Sequence, residues 1–251
     1  MCHVLKIHRI NLYSNYDQPL TKIELAEFKA LLKRCLTHEP VQFIIEKAQF
    51  IELELKVNNS SIVPRPETEQ LASIIISENK EIAELLDILD IGTGSGCLAL
   101  ALSKYLQKSN IDAIDNSEGS LILSKENAEI NNITNVNFVY FDILKNIPEK
   151  KYNIVVSNPP YVDLTEYEKL EPEVKLFEPK DAITDNSDGL TFYRRFADIL
   201  PQILEPGGKF YFEIGFGQKS ELEIIFCSKS YQIEFINDFS NIPRILKGRY
   251  L

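Results

Sequence analysis

The stretch LDIGTGSGCLALAL, residues 89–102, places Gly92, Gly94 and Gly96 between a strand-like apolar run and a helical pattern. Glycine adopts positive φ without steric cost and lets a ligand approach the backbone closely. A loop at the carboxyl end of a strand is where doubly wound sheets bind ligands. The stretch therefore predicts a ligand-binding loop, and the alternative is a glycine-rich turn that only packs the strand against the helix.

The spacing and the acids around this loop indicate the ligand. Dinucleotide folds use GxGxxG, whereas GxGxG after the acidic strand end at Asp90 is typical of an S-adenosylmethionine loop. Asp115 ends the next predicted strand, as a ribose-binding acid would. At the end of the third strand, Asp142 can accept from an adenine amino group and Ile143 can pack on the ring. The alternative for Asp142 is a strand-end residue that caps a turn.

Strands and helices alternate from this loop to the C-terminus. We predict strands over residues 85–91, 111–115, 136–141, 152–157, 208–215, 231–236 and 244–251, and helices over 96–107, 117–131, 190–204 and 217–228. Strands separated by helices predict an α/β fold with a doubly wound, mostly parallel seven-stranded sheet. The short connection between the last two strands predicts an antiparallel edge.

The residues before the loop predict a smaller unit. Residues 21–37 have helical spacing, with Thr21 and Glu24 placed as a capping box. Alternating apolar positions over 51–57, followed by a turn at 58–61, predict a β-hairpin. A helix is predicted over 67–79. We therefore predict a short N-terminal helical domain over 1–40, a linking β-hairpin over 41–66 and the sheet domain over 67–251.

Composition narrows the class of protein. The chain has 251 residues, 44% of them hydrophobic, and no run approaches the roughly 20 apolar residues of a membrane span. The four cysteines are scattered and the three histidines lie near one end, so we expect free thiols and no metal site. A net charge of −10 lowers the expectation of nucleic-acid binding, which relies on Lys and Arg. With no signal peptide recognised, we expect a cytoplasmic protein.

The segment VVSNPPYV, residues 155–162, ends a predicted strand at the same edge as the glycine loop. Planar nitrogens are poor nucleophiles, so a catalyst that methylates them needs acceptors for their N–H bonds. The Asn158 side-chain oxygen and the Pro159 carbonyl can accept these bonds, Pro160 keeps the turn rigid, and Tyr161 offers a flat face. The segment indicates methylation of a planar amino nitrogen, in a nucleic-acid base or a protein glutamine. The alternative is a Pro-Pro strand terminator with a capping Asn.

Further motifs resemble one family. They are EPVQFI, VNNSSIVPRPETE, LDIGTGSGCLALAL, VSNPPYV, EPKDAITDNSDGLTFYRRF, LEPGGKFYFEIGFGQ and DFSNIPRILKGRY, and they cover most of residues 39–250. The set resembles the HemK/PrmC family, the glutamine methyltransferases of peptide chain release factors. DNA adenine methyltransferases share Asn-Pro-Pro-Tyr but are not expected to carry IVPRPETE.

The resemblance implies a class I methyltransferase sheet with an N-terminal helical domain. It implies S-adenosylmethionine as cofactor and, as acceptor, the glutamine of the Gly-Gly-Gln motif in class 1 release factors. Carried over by position, the cofactor residues are Gly92, Thr93, Gly94, Ser95, Gly96, Asp115 and Ile143, and Asn158 to Tyr161 hold the glutamine amide. The sequence departs from the family at Glu46 and Glu52, where glycine is usual.

Three more residues receive two interpretations each. Arg65 and Glu67 either shape the acceptor crevice or form an ion pair at a helix start. Glu213 either points toward the cleft or is a strand-end carboxylate bonded to backbone N–H groups. For the whole chain, the rival hypotheses are a DNA or RNA adenine or cytosine amino-methyltransferase and a non-catalytic binding module. We expect a monomer with no membrane contact.

Overall fold

The computed structural model describes residues 1–229 and 231–250. Its N-terminal part holds α1 (Cys2–Leu5), α2 (Arg9–Ser14), α3 (Lys22–Cys35) and α4 (Val41–Ile45). The predicted capping box begins α3: the Glu24 N–H donates to Thr21 Oγ1 at 3.2 Å, and the Thr21 N–H donates to Glu24 Oε2 at 2.7 Å. This reciprocal pair satisfies two backbone donors, which is why the helix begins where the sequence predicts.

A hairpin of β1 (Lys47–Phe50) and β2 (Leu53–Lys56) follows, with Phe50 opposite Leu53. The hairpin is confirmed, and residues 58–61 form the predicted turn, in which the Ser61 N–H donates to the Asn58 carbonyl at 3.4 Å. The turn that joins the two hairpin strands lies elsewhere, at residues 51–52. The Ile51 N–H donates to Glu69 Oε1 at 2.8 Å, and this long-range bond, together with the burial of Phe50 and Leu53, holds the turn there. Glu46 adopts φ 55°, whereas Glu52 is not among the residues with positive φ.

The remaining elements build the main sheet. They are α5 (Pro66–Asn79), β3 (Leu86–Ile91), α6 (Cys97–Tyr105), β4 (Ser109–Asp115), α7 (Glu118–Ile130), β5 (Val136–Tyr140), β6 (Tyr152–Ser157), α8 (Leu164–Tyr167), α9 (Pro172–Phe177), α10 (Thr191–Ile203), β7 (Leu204–Glu213), α11 (Lys219–Cys227), β8 (Tyr231–Asn237) and β9 (Pro243–Tyr250). The strand order is β5-β4-β3-β6-β7-β9-β8. Only β9 runs antiparallel to its neighbours, β7 and β8, which confirms the predicted sheet and its antiparallel edge.

Helices cover both faces of this sheet. Successive residues of β3 point to opposite faces. Ile88 joins a core with Leu71 of α5 and Phe50 of the hairpin, whereas Leu89 joins a second core with Phe196 of α10. Both faces are therefore apolar, and the hairpin is packed into the same core as α5 and α6.

The predicted helix over 190–204 is confirmed as α10, although it contains a proline. Pro201 lies inside α10, and the Ala197 carbonyl that would accept its missing N–H accepts the Tyr231 hydroxyl at 2.9 Å instead. The short helices α8 and α9 lie in the connection between β6 and α10 and were not predicted. Across residues 1–229 and 231–250, no helix combines the length and apolarity needed to cross a membrane.

Candidate active site

The loops after β3 and β6 meet in one cleft at the carboxyl edge of the sheet. The Ser157 hydroxyl donates to the Ile91 carbonyl at 2.7 Å and ties the ends of these strands together. The cleft is lined by the glycine loop, by Asn158 and by the segment before α5; its residues are Ser61, Ile62, Pro64, Thr68, Asp90, Gly92, Thr93, Gly94, Ser95, Cys97, Leu98 and Asn158. The structure thus brings the two predicted motifs together.

The glycine loop is closely packed at Gly94 and borders open space at Gly92. Gly92, Gly94 and Gly96 adopt φ values of 72°, 55° and 82°. A Cβ on Gly94 would lie 2.7 Å from Ser61 Oγ, so the loop and the segment before α5 approach too closely for a side chain. A Cβ on Gly92 would meet no atom within 4 Å, so the backbone there borders open space. A ligand can therefore lie against the loop.

Two largely buried carboxyl groups border the loop. Asp90 accepts from Thr93 Oγ1 at 2.7 Å, and burial raises the pKa of Asp90 to about 7 despite this bond. Asp115 accepts the N–H groups of Gly94 and Ser117, each at 2.9 Å, and burial raises the pKa of Asp115 as well. A carboxylate has about four lone-pair sites, so both groups can accept further donors. This donor and acceptor set fits the ammonium and ribose hydroxyl groups of S-adenosylmethionine.

Asp142 and Ile143 are adjacent in the sequence, but their side chains have different surroundings. The Asp142 carboxylate accepts the Leu144 N–H at 3.0 Å and pairs with Lys145 at 2.7 Å, and this Lys145 bond is the main reason that the pKa of Asp142 is lowered. Asp142 therefore caps a turn, as its alternative interpretation states, and it remains a prediction that it also binds adenine. Ile143 is buried in the second hydrophobic cluster, and its contact with the adenine ring remains a prediction.

A hydrogen-bonded chain leads from Asn158 into the protein. Asn158 Nδ2 donates to Thr68 Oγ1 at 3.0 Å, and the Thr68 hydroxyl donates to Glu213 Oε2 at 2.6 Å. The Tyr161 hydroxyl donates to Glu213 Oε1 at 3.2 Å. Burial raises the pKa of Glu213 to about 7 and raises that of Tyr161 as well. Glu213 thus accepts from side-chain hydroxyl groups, and the expectation of bonds from backbone N–H groups is wrong.

Arg65 makes a different ion pair from the one considered. Its guanidinium donates to both carboxylate oxygens of Glu178, at 2.7 and 2.8 Å, so the interpretation as a pair with Glu67 is wrong. Burial raises the pKa of Glu178, and the Arg65 charge opposes this shift. The pair joins the start of α5 to the end of α9. Glu67 lies near enough to Glu213 for its charge to raise the pKa of Glu213 further.

The Gln218 side chain fixes the end of the Asn-Pro-Pro-Tyr turn through hydrogen bonds to backbone groups. Its side-chain amide donates to the carbonyl groups of Tyr161 at 2.9 Å and Gly189 at 3.2 Å, and its oxygen accepts the Gly215 N–H at 2.8 Å. A Cβ on Gly189 would lie 2.2 Å from the Tyr161 carbonyl oxygen, so this position requires glycine. Sequence reasoning missed Gln218, Thr68 and Ser61, since polar residues of this kind carry no local signal of distant contacts.

The sequence is similar to known enzymes along most of its length. A family model of the methyltransferase small domain matches residues 68–173, and one of the PrmC N-terminal domain matches residues 1–45. A release factor glutamine methyltransferase from Thermodesulfovibrio yellowstonii is 37% identical over 248 residues, which cover 98% of this chain and 88% of the relative. One from Geobacter sulfurreducens is 34% identical over 246 residues, covering 98% and 85%.

Solved structures share the fold. A methyltransferase from Pyrococcus furiosus aligns with a TM-score of 0.59 at 17% identity, covering 89% of this chain and 96% of that one. A ribosomal protein L11 methylase from Lactobacillus delbrueckii subsp. bulgaricus aligns with a TM-score of 0.56 at 21% identity, covering 76% and 82%. At these identities the likeness supports the fold alone.

The seven-stranded sheet, the glycine loop and the acids beside it define a class I S-adenosylmethionine-dependent methyltransferase. S-adenosylmethionine supplies the methyl group in this class of enzyme. The identity to curated relatives extends over nearly the whole chain and includes the N-terminal domain. The chain belongs to the release factor glutamine methyltransferase family.

Proposed function

We propose that this enzyme methylates the side-chain amide nitrogen of the glutamine in the Gly-Gly-Gln motif of class 1 peptide chain release factors. The observation that carries the proposal is that Asn158 and the glycine loop line the same cleft. An acceptor held at Asn158 therefore lies beside the ligand held at the loop. The near full-length identity to release factor glutamine methyltransferases supports this choice of acceptor.

The proposed roles follow from what each group can donate or accept. The glycine loop and Asp115 hold the cofactor, with Thr93 and Ser95 in the loop. The Asn158 side-chain oxygen and the Pro159 carbonyl accept the two amide N–H bonds, and the Tyr161 ring packs on the amide plane. Holding two reactants in line can lower a barrier by roughly 7–11 kcal/mol. The surplus proton leaves to water late, since the amide nitrogen becomes acidic as it gains the methyl group.

Each part of the chain has its own role in the proposed function. Residues 1–40 form a domain that docks the release factor, residues 41–66 link it, and residues 67–251 perform catalysis in the cytoplasm. The exposure of α3 supports a docking role: none of its residues is buried, Ile23 is 79% exposed, and Leu36, directly after the helix, is 75% exposed. Arg65 and Glu67 border the acceptor crevice in this proposal.

Transfer of a radiolabelled methyl group tests the proposal directly. Purified release factor, a release factor with the loop Gln replaced by Ala, and DNA would serve as alternative acceptors, with label mapped to a residue. We expect label on the loop glutamine and its loss in Asn158→Ala. Asn137→Ala, at an exposed asparagine of β5, is the matched control and retains activity. Label on DNA instead, or undiminished transfer by Asn158→Ala, would contradict the proposal.

A further inference from the structure

The hydrogen bonds behind Asn158 have a defined direction. An ionised carboxylate only accepts hydrogen bonds. In its ionised form, Glu213 accepts the single proton of the Thr68 hydroxyl, and only lone pairs of Thr68 Oγ1 remain for other partners. Asn158 lies 3.0 Å from that oxygen and must present its NH2 group to it. The Asn158 side-chain oxygen then lies on the other side of the amide group.

We propose that Thr68 and Glu213 are positioning residues, which hold the Asn158 amide so that its oxygen faces the acceptor glutamine. This inference rests on the proposed function, since it concerns the same acceptor site. Asparagine can place its oxygen and nitrogen in either of two flipped orientations. In the wrong orientation the Asn158 NH2 group would face the substrate NH2 group, donor against donor, and no acceptor would aim the nitrogen at the methyl group.

The network joins three separate parts of the chain at one point. Thr68 lies in the first turn of α5, Asn158 follows β6, and Glu213 ends β7. Thr68 and Glu213 are 3% and 1% exposed, so water has little access to the bond between them. The Tyr161 hydroxyl donates to the second oxygen of Glu213, so the same carboxylate also fixes the orientation of the Tyr161 ring.

Substitutions at Thr68 and Glu213 separate positioning from a purely structural role. Thr68→Val removes the acceptor, and we expect kcat to fall about 10- to 100-fold, as small misplacements do, with the Kd for S-adenosylmethionine unchanged. Thr68→Ser keeps the hydroxyl and restores most of kcat. Glu213→Gln has one acceptor oxygen for two hydroxyl donors, so we expect a fall of about tenfold. The matched control is Ser109→Ala, a buried hydroxyl at the opposite edge of the sheet, which lowers Tm without lowering kcat.

A double-mutant cycle identifies the residue through which Thr68 acts. Groups that act through one another give non-additive effects. In single-turnover transfer, we expect Thr68→Val to cost little further activity when Asn158 is already Ala. Equal losses in both backgrounds, or full kcat in Thr68→Val, would overturn the inference.

A second measurement does not depend on any acceptor. The side-chain NH2 signal of Asn158 in a ¹H–¹⁵N spectrum, assigned by its loss in Asn158→Ala, reports the bond to Thr68. We expect hydrogen exchange of this NH2 group to accelerate about tenfold in Thr68→Val, and unchanged exchange would overturn the inference. If wild-type enzyme transfers no methyl group to release factors, the proposed function fails, while this spectrum still decides whether Thr68 orients Asn158.

Discussion

Two carboxyl groups of the cleft, Asp90 and Glu213, are buried at the ends of β3 and β7. Desolvation is the largest cause of the raised pKa of each group, which is about 7 for both. An ionisable group that titrates near neutral pH makes a site sensitive to pH. The two groups serve different parts of the cleft, since Asp90 borders the glycine loop and Glu213 lies behind Asn158.

We predict that kcat of the wild-type enzyme rises as pH increases through about 7. Ionised Glu213 accepts from both Thr68 and Tyr161, whereas protonation replaces one of its acceptor sites with a donor. Because glutamine does not titrate, the part of the rise in kcat that is due to Glu213 should be absent in Glu213→Gln. Any part that is due to Asp90 should remain. The charged or titratable groups around Glu213, besides the hydroxyl of Thr68, are Glu67, Cys97, Tyr161, Tyr193 and Arg244. A pH profile of kcat that is identical in both enzymes would contradict the prediction.

The same shift has a consequence for stability. The pKa of Glu213 rises from the ordinary 4.5 to about 7 on folding, so the folded state favours the protonated form. The contribution of Glu213 to stability is therefore fully present below pH 4.5 and is lost as pH rises through about 7. Urea unfolding at pH 5 and pH 8 should show Glu213→Gln gaining stability relative to wild type at the higher pH.

At the scale of elements, tertiary contacts rather than local backbone preferences hold the segment over residues 46–65 in its conformation. Glu46 and Ile51 flank β1 at φ values of 55° and 54°, where residues with a Cβ are disfavoured. The Ile51 N–H bonds to Glu69, and the Arg65 pair with Glu178 fixes the start of α5. The bond to Glu69 thus helps to offset the backbone strain at Ile51.

We predict that Glu46→Gly raises the free energy of unfolding by about 1 kcal/mol, since glycine adopts the left-handed conformation without the Cβ penalty. Glu46 is exposed, so few contacts are lost with its side chain. The matched control is Lys47→Gly in β1, where glycine should lower stability by roughly 0.5–1 kcal/mol. Denaturant unfolding measures both, and a loss of stability in Glu46→Gly would contradict the prediction.

We predict that Arg65→Ala lowers the free energy of unfolding by about 2–3 kcal/mol, because it leaves the buried Glu178 carboxylate unpaired. The value is at the low end for buried pairs, since the Arg65 side chain is 35% exposed. Glu178→Gln in the Arg65→Ala background removes the unpaired charge and should recover part of the loss. If the double variant is no more stable than Arg65→Ala, charge burial is not the cause.

At the scale of the whole molecule, the sheet forms the cleft from loops that follow parallel strands. Apolar helices cover both faces, so the carboxyl edge of the sheet is where polar loops converge. The connection between the hairpin and α5 approaches the glycine loop at Ser61 and Gly94. We therefore expect a ligand bound at this point to stabilise the contact between this connection and the sheet.

We predict that S-adenosylmethionine at 100 times its Kd raises the free energy of unfolding by about 2.7 kcal/mol, seen as a higher Tm. Gly94→Ala should reduce this rise, because its Cβ would lie 2.7 Å from Ser61 Oγ and would force Ser61 or the loop to shift where both line the cleft. Gly207→Ala is the matched control: it also has positive φ, but its Cβ meets no atom within 4 Å, so it should lower Tm and retain the ligand response. An equal ligand response in both variants would contradict the prediction.

Several parts of the fold and site could be predicted because their signals are local. Hydrophobic runs with β-branched residues predicted every strand of the main sheet, and the capping box predicted the start of α3. The turn of the hairpin could not be predicted, since a bond from Ile51 to Glu69, which is 18 residues away, helps to hold it. The short helices α8 and α9 lack the length that makes a periodic pattern recognisable.

The sequence by itself determined the class of the protein, because glycine spacing, the strand-end acids and the Asn-Pro-Pro-Tyr turn are each local. Only the tertiary structure decided which groups face one another. Thr68 bonds to Asn158, 90 residues away, and to Glu213, 145 residues away, and Arg65 pairs with Glu178 across 113 residues. Such partners are chosen by sheet topology and by the need of buried polar groups for hydrogen bonds, and neither cause leaves a mark on neighbouring residues.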